Sequence, residues 1–186
     1  MVATHVPEAV HLRAELDALV ELPRSELISQ VKALRAREQE LIARDTEKRI
    51  AEVTGLETAT RLSSSTDGVV KALARRAFLR AGATSADYAR TVGIFAVGGY
   101  GRGEINPFSD LDLLVLLTDG RQPAWVQTGN AELQTLLWDV GFQGGASMRS
   151  LGELDQIIKE DFVTATAVIE GRQIDGDPAH GIALAN

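Results

Sequence analysis

The chain has 186 residues, 45% of them hydrophobic and 24% charged, with a net charge of −7. That length suits one or at most two domains with a real core. The acidic balance argues against a broad nucleic-acid-binding surface, and the lack of cysteine excludes disulfides and thiolate chemistry. The amino terminus lacks a signal-peptide pattern and no run reaches ~18 apolar residues, so neither export nor a membrane span is expected and a cytoplasmic setting is.

In chain order, Leu12, Leu16, Leu19 and Val20 recur at helical spacing over Glu8 to Leu22, and Pro23 ends that helix. Ser25 is placed to cap a second helix with Leu27, Ile28, Val31, Leu34, Leu41 and Ile42 on one side. Its charge run, Arg35 to Glu52, reads as a solvated face with pairs such as Glu40–Arg44, in preference to a docking face. Ser63-Ser-Ser-Thr-Asp-Gly68 reads as a short turn, capping a third helix over Val69 to Ala81 that Gly82 stops. The second half alternates: strands near 92–97, 110–117 and 142–149, and helices near 130–140, 151–160 and 162–172. The fold class expected is α+β: a mixed sheet flanked by helices over residues 91–186, preceded by a helical region over 1–90.

Most functional information lies in residues 97–117. Gly98 and Gly99 end the apolar run Gly93-Ile-Phe-Ala-Val97, and without Cβ atoms they let backbone N–H groups approach a triphosphate. Gly101 and Gly103 continue an open loop, from which Arg102 projects as a phosphate clamp or pairs with Glu104. Asp110 and Asp112 alternate along a strand, so they share a face with Cα atoms roughly 6.6 Å apart, able to converge on paired metal ions. Leu111, Leu113, Val115 and Leu117 point the other way into a core. Ser109 beside the carboxylates is a candidate phosphate donor. The glycines open neither a dinucleotide-binding helix nor a P-loop, which needs Gly-Lys-Ser/Thr. Tyr100 and Trp138 read as packed aromatics, Arg149 as a phosphate contact or a salt bridge, and His5, His11 and His180 show no ligand spacing.

The Gly-Gly followed by Ser-Asp-x-Asp resembles the nucleotidyltransferases of the DNA polymerase β superfamily. Within it, Gly98-Gly-Tyr-Gly-Arg-Gly-Glu104 followed by Pro107-x-Ser109-Asp-x-Asp-Leu-Leu114 is similar to the PII uridylyltransferase/uridylyl-removing family. Leu137-Trp-Asp-Val-Gly-Phe142, Ala146-Ser-Met-Arg-Ser150 and Asp161 to Asp177 extend the likeness, which covers about residues 90–178. The resemblance implies a polymerase β-like fold and UMP transfer from UTP to a tyrosine of a PII-type protein in nitrogen regulation. It also implies Mg²⁺ held by Asp110 and Asp112, with phosphates bound by Gly98, Gly99, Arg102 and Ser109. Two departures stand out: Ile105 replaces a usual Leu, and the family's His in H-S-V-R-T is Ala146.

A third carboxylate, usual in the superfamily, is missing from the strand near 142–149, leaving Asp139 and Glu153 at its ends as candidates or as surface acids. The family's downstream metal-dependent HD and glutamine-sensing ACT domains have no counterpart here, as the chain has no His-Asp dipeptide. Their activities are therefore not expected, whether the chain is a fragment or a free-standing transferase. A nucleotide-binding regulatory module without catalysis, or an adenylylating relative, are the alternative functions.

Overall fold

The computed structural model describes residues 18–49, 55–118 and 122–185, with the side chains of 45–49 left aside. The helix expected from Glu8 falls largely outside these residues, with Leu12 and Leu16 among those not described. Pro23 opens the next element, its carbonyl accepting the Leu27 N–H at 2.9 Å. Helix α1 (Arg24–Arg49) buries Leu27 and Val31 and leaves Arg37, Glu40 and Arg44 exposed as a solvated run would, while Arg35 and Glu38 of the same run are half-buried and its side chains from 45 on lie outside those described.

Helix α2 (Gly55–Arg80) runs straight through Ser63–Gly68, where a turn is expected from the sequence. Two hydroxyls are absorbed by the helix itself: Ser63 and Ser64 donate to the carbonyls of Ala59 and Thr60 at 2.9 and 3.0 Å. Ser65 donates to Glu38 on α1, and Thr66 is buried. Gly68 in a helix interior costs about 1 kcal/mol, which the burial of Val69, Val70 and Leu73 offsets.

Helix α3 (Ser85–Thr91), capped by Thr84, leads into strand β1 (Val92–Ala96). A single helical turn, α4 (Gly98–Gly101), precedes β2 (Leu111–Leu117). Helix α5 (Ala124–Asp139), six residues longer at its start than the spacing predicts, crosses over to β3 (Gly144–Ser150). Then come α6 (Leu151–Glu160) and α7 (Phe162–Ile169). The helix expected to reach residue 172 instead gives way to strand β4 (Arg172–Asp175), followed by α8 (Ala179–Ala185).

The four strands lie in the order β3-β2-β1-β4, with β1 antiparallel to both its neighbours and β2 parallel to β3. The mixed α+β arrangement is as the sequence predicts. Alternation along β2 divides two cores. Leu111, Leu113, Val115 and Leu117 join Leu73, Phe78, Leu133 and Leu136 in the larger one. Leu114 and Leu116 join Phe95, Val97 and Leu154 in the smaller. Helices α1 and α2 contribute to the larger core, so the helical region and the sheet share one interior. The carboxylate of Asp112 leaves the face opposite the larger core.

Candidate active site

Strand β1 ends where the Val97 N–H donates to the Asp112 carbonyl at 3.1 Å. The chain then reverses through Gly98, whose φ of +58° an L side chain rarely adopts. Residues 98–101 form a closed turn in place of the open loop expected. The Gly101 and Arg102 N–H groups donate to the carbonyls of Val97 and Gly98 at 3.1 and 3.2 Å. The first N–H groups of a helical turn lack an i−4 carbonyl. Gly98 and Gly99 therefore carry their N–H groups at the end of β1. A Cβ on Gly98 would stand 3.8 Å from Asp112 Oδ2, so the turn and the acidic strand meet.

Asp110 and Asp112 flank the buried Leu111 and are both exposed. Asp110 stands just ahead of β2, where the Leu111 N–H donates to the Gln143 carbonyl at 2.7 Å. Among the described residues neither carboxylate has a hydrogen bond or ion pair, leaving two sets of anionic oxygens open. Two carboxylates completed by substrate phosphates and water are a common ligand set for Mg²⁺, so the donors present fit that ion.

Ser109 is partly committed: its Oγ accepts the Asn106 N–H at 3.0 Å. With Asp110 it borders a cleft between α1, α2 and the 105–111 loop, lined also by Arg35, Glu38 and Thr66. Burial pushes the Glu38 carboxyl up from its usual range, against a hydrogen bond from Ser65. The Arg35 guanidinium lies 3.9 Å from the centre of the Phe142 ring. Arg102 is held by carboxylates: it pairs with Glu104 at 3.0 Å and also with Glu170. The pairing with Glu104 is the structural alternative that the sequence left open.

Tyr100 is buried at 2% exposure, its hydroxyl donating to Asp67 at 2.7 Å, which is the packed role expected. Trp138 departs from expectation. It is 61% exposed, because its Nε1 turns to the Gly144 carbonyl at 3.2 Å and covers the free edge of β3. Arg149 is exposed and donates to the Met148 carbonyl at 2.7 Å. His180 is buried between Thr118 Oγ1 and the Ala89 carbonyl, at 2.9 and 2.8 Å.

Neither candidate for a third acid is free. Asp139 receives Arg24 at 2.8 Å. Glu153 closes a capping box with Ser150, whose backbone and hydroxyl hydrogen bonds hold its carboxyl below the usual range. Among the described residues no three His, Asp or Glu side chains are grouped so as to hold a metal ion. The register pairs Asp112 with Gly145 and Leu113 with Ala146, so Ala146 belongs to the other face and packs on the larger core. Two further residues reach the glycine turn to which the sequence assigns no role there: Asp67, in the stretch that reads as a turn, and Arg172, which falls in the Asp161–Asp177 stretch of the resemblance and in the helix expected to reach residue 172.

Residues 83–170 match the family described as Nucleotidyltransferase domain. Three relatives carry the name bifunctional uridylyltransferase/uridylyl-removing enzyme. The protein of Phenylobacterium zucineum is 37% identical over 124 residues, 66% of this chain and 13% of that protein. The protein of Hydrogenovibrio crunogenus is 39% identical over 102 residues, 55% and 11% of the two chains. The protein of Azotobacter vinelandii is 43% identical over 89 residues, 48% and 10% of the two. The chain thus matches about an eighth of these relatives' length or less. Within that span, the glycine turn beside an open carboxylate lies in a stretch that matches a nucleotidyltransferase domain and is similar to part of the bifunctional uridylyltransferase/uridylyl-removing enzymes.

Proposed function

We propose that this protein transfers UMP from UTP to a tyrosine hydroxyl of a PII-type signalling protein, with release of pyrophosphate. The observation that carries the reading is the meeting of Gly98 with Asp112, in a corner where Asp110 and Asp112 have no protein partner among the described residues. Asp110 and Asp112 would hold Mg²⁺ through their carboxylate oxygens. When bound, the ion supplies Lewis acidity, lowering the pKa of the attacking hydroxyl and offsetting phosphate charge. Gly98 and Gly99 present N–H donors to the phosphates, and the Ser109 hydroxyl donates from the loop beside Asp110. Arg102 adds its charge by leaving Glu104 and Glu170. The tyrosine oxygen forms a bond to the α-phosphorus while the bond to the β-phosphate oxygen breaks. The phenolic proton passes to solvent, since no third acid joins the pair among the described residues.

The relatives' names and the nucleotidyltransferase match support the reaction class, the choice of a uridylyl group follows those names, and the PII acceptor follows the sequence resemblance. Incubation with PII, labelled UTP and Mg²⁺ tests it: label on PII is expected. Folded protein that transfers from none of the four nucleotides overturns it, and preference for ATP points to the adenylylating alternative.

Among the described residues no third acid joins Asp110 and Asp112, which favours one other reading, a nucleotide-binding regulatory module without turnover. Binding of a non-hydrolysable UTP analogue in calorimetry, with no transfer in the assay above, is its signature.

A further inference from the structure

The Gly98–Gly101 turn has a back as well as a front. The front meets Asp112. At the back, the Tyr100 hydroxyl donates to Asp67 Oδ1 at 2.7 Å, and Asp67 belongs to the middle of α2. Arg172, the first residue of β4, donates from Nη2 to the same oxygen at 3.0 Å and from Nη1 to Oδ2. That guanidinium also reaches the turn's own carbonyls, Gly101 O at 3.4 Å and Tyr100 O at 3.5 Å, and lies 5.7 Å from the centre of the Tyr100 ring. The turn is pressed closely onto the same segment, for a Cβ on Gly101 would fall 2.3 Å from the Glu170 carbonyl.

We propose that Asp67 and Arg172 are positioning residues that clamp this turn from behind and fix its N–H groups for a nucleoside triphosphate. The proposal rests on the nucleotidyl-transfer reading above. One carboxylate takes a phenol and both arms of a guanidinium, and the guanidinium spans the carboxylate and two backbone carbonyls. A planar fork can do this and a lysine ammonium cannot. Small displacements of phosphate-binding groups weaken ligand binding steeply, so a loosened clamp is expected to act on nucleotide affinity before it acts on folding.

A neighbouring pair supplies the control. Arg75 also joins α2 to β4, meeting Asp175 at 2.8 Å, but Asp175 makes no bond to the turn. Arg172→Lys, Asp67→Asn and Arg75→Lys are compared with wild type by thermal melting, by hydrogen–deuterium exchange of residues 98–103, and by calorimetry with a non-hydrolysable UTP analogue and Mg²⁺. The first two variants are expected to exchange faster in the turn and bind the analogue roughly tenfold more weakly. Arg75→Lys is expected to lower the melting temperature alone. Unchanged exchange in the first two, or a like effect from Arg75→Lys, overturns the clamp. Faster exchange with unchanged affinity overturns its role toward the nucleotide. Exchange is read without nucleotide, so the clamp is tested even where wild type binds no analogue, a result that instead sinks the nucleotidyl-transfer reading and with it the positioning role.

Discussion

Gly98 leaves just the room of a methyl group before Asp112 across the ends of β1 and β2: a Cβ on the glycine would lie 3.8 Å from the Asp112 carboxylate. Among the described residues, the Asp112 carboxylate is what a side chain on Gly98 would meet within 4 Å. A triphosphate bound at the turn would therefore face the acidic pair directly.

Asp110→Asn together with Asp112→Asn is expected to abolish Mg²⁺-dependent transfer, since neutral amides replace the anionic oxygens that Mg²⁺ prefers. Folding survives because both side chains are exposed. Melting with Mg·UTP separates the two effects: wild type gains about 2.7 kcal/mol at a hundredfold excess over Kd, and the double variant gains far less. Wild-type transfer by the variant would end the metal-carboxylate reading.

Gly98→Ala meets strain without a clash. The φ of +58° costs an L residue about 1 kcal/mol, while 3.8 Å is ordinary contact. A drop in melting temperature of roughly 2–4 °C is expected. Gly101→Ala should lose more, because its Cβ would fall 2.3 Å from the Glu170 carbonyl. Equal melting of the two variants would contradict this ordering.

Ala146→Asp is expected to restore or raise nothing, although the family's His occupies that position. Its side chain packs on the larger core and pairs in register with Leu113, away from Asp112. An unpaired carboxylate there costs about 1–3 kcal/mol, visible in urea unfolding. Increased transfer at unchanged stability would show that the side chain reaches the site.

The pH dependence centres on Asp175, which is 6% exposed. Burial pushes its carboxyl up, but Arg75 and Lys71 together hold it below the usual range. A carboxylate with a lowered folded pKa contributes stability above its unfolded value near ~3.9, and that contribution is lost as pH falls through the lower folded value. Asp175→Asn should flatten this acid limb in a series of melts from pH 7 to 2. At neutral pH it should cost about 1–3 kcal/mol, moderated because Lys71 and Arg75 remain partly in water. A mutant whose melting tracks pH as wild type does would assign the acid limb elsewhere.

The pattern of β2 was legible because alternation is local: Leu111, Leu113, Val115 and Leu117 face one core whatever lies around them. The reversal at Gly98 was legible for the same reason, though not its closure into a helical turn. Several departures from the sequence pattern turn on partners remote in the chain. Ser63–Asp67 carry turn chemistry, yet their hydroxyls and carboxylate find bonds in α2, α1 and β4, so the helix continues. Arg172–Asp175 has no apolar alternation and becomes a strand by pairing with β1. Asp139 could be taken for a site acid until Arg24, from α1, is seen to hold it.

The hydrogen bonds between Asp67 and Arg172 join positions 105 apart in the chain. On a ribosome adding ~5–20 residues per second, Asp67 waits roughly 5–20 s for its partner. In the later part of that interval, from residue 112 onward, the nascent chain holds both glycines and both aspartates, but the strand that backs them has not been made. The stretch matched to the family, residues 83–170, contains neither Asp67 nor Arg172. A gene trimmed to that stretch would encode Gly98, Gly99, Asp110 and Asp112 and still leave the Tyr100 phenol without its acceptor and β1 without β4 beside it.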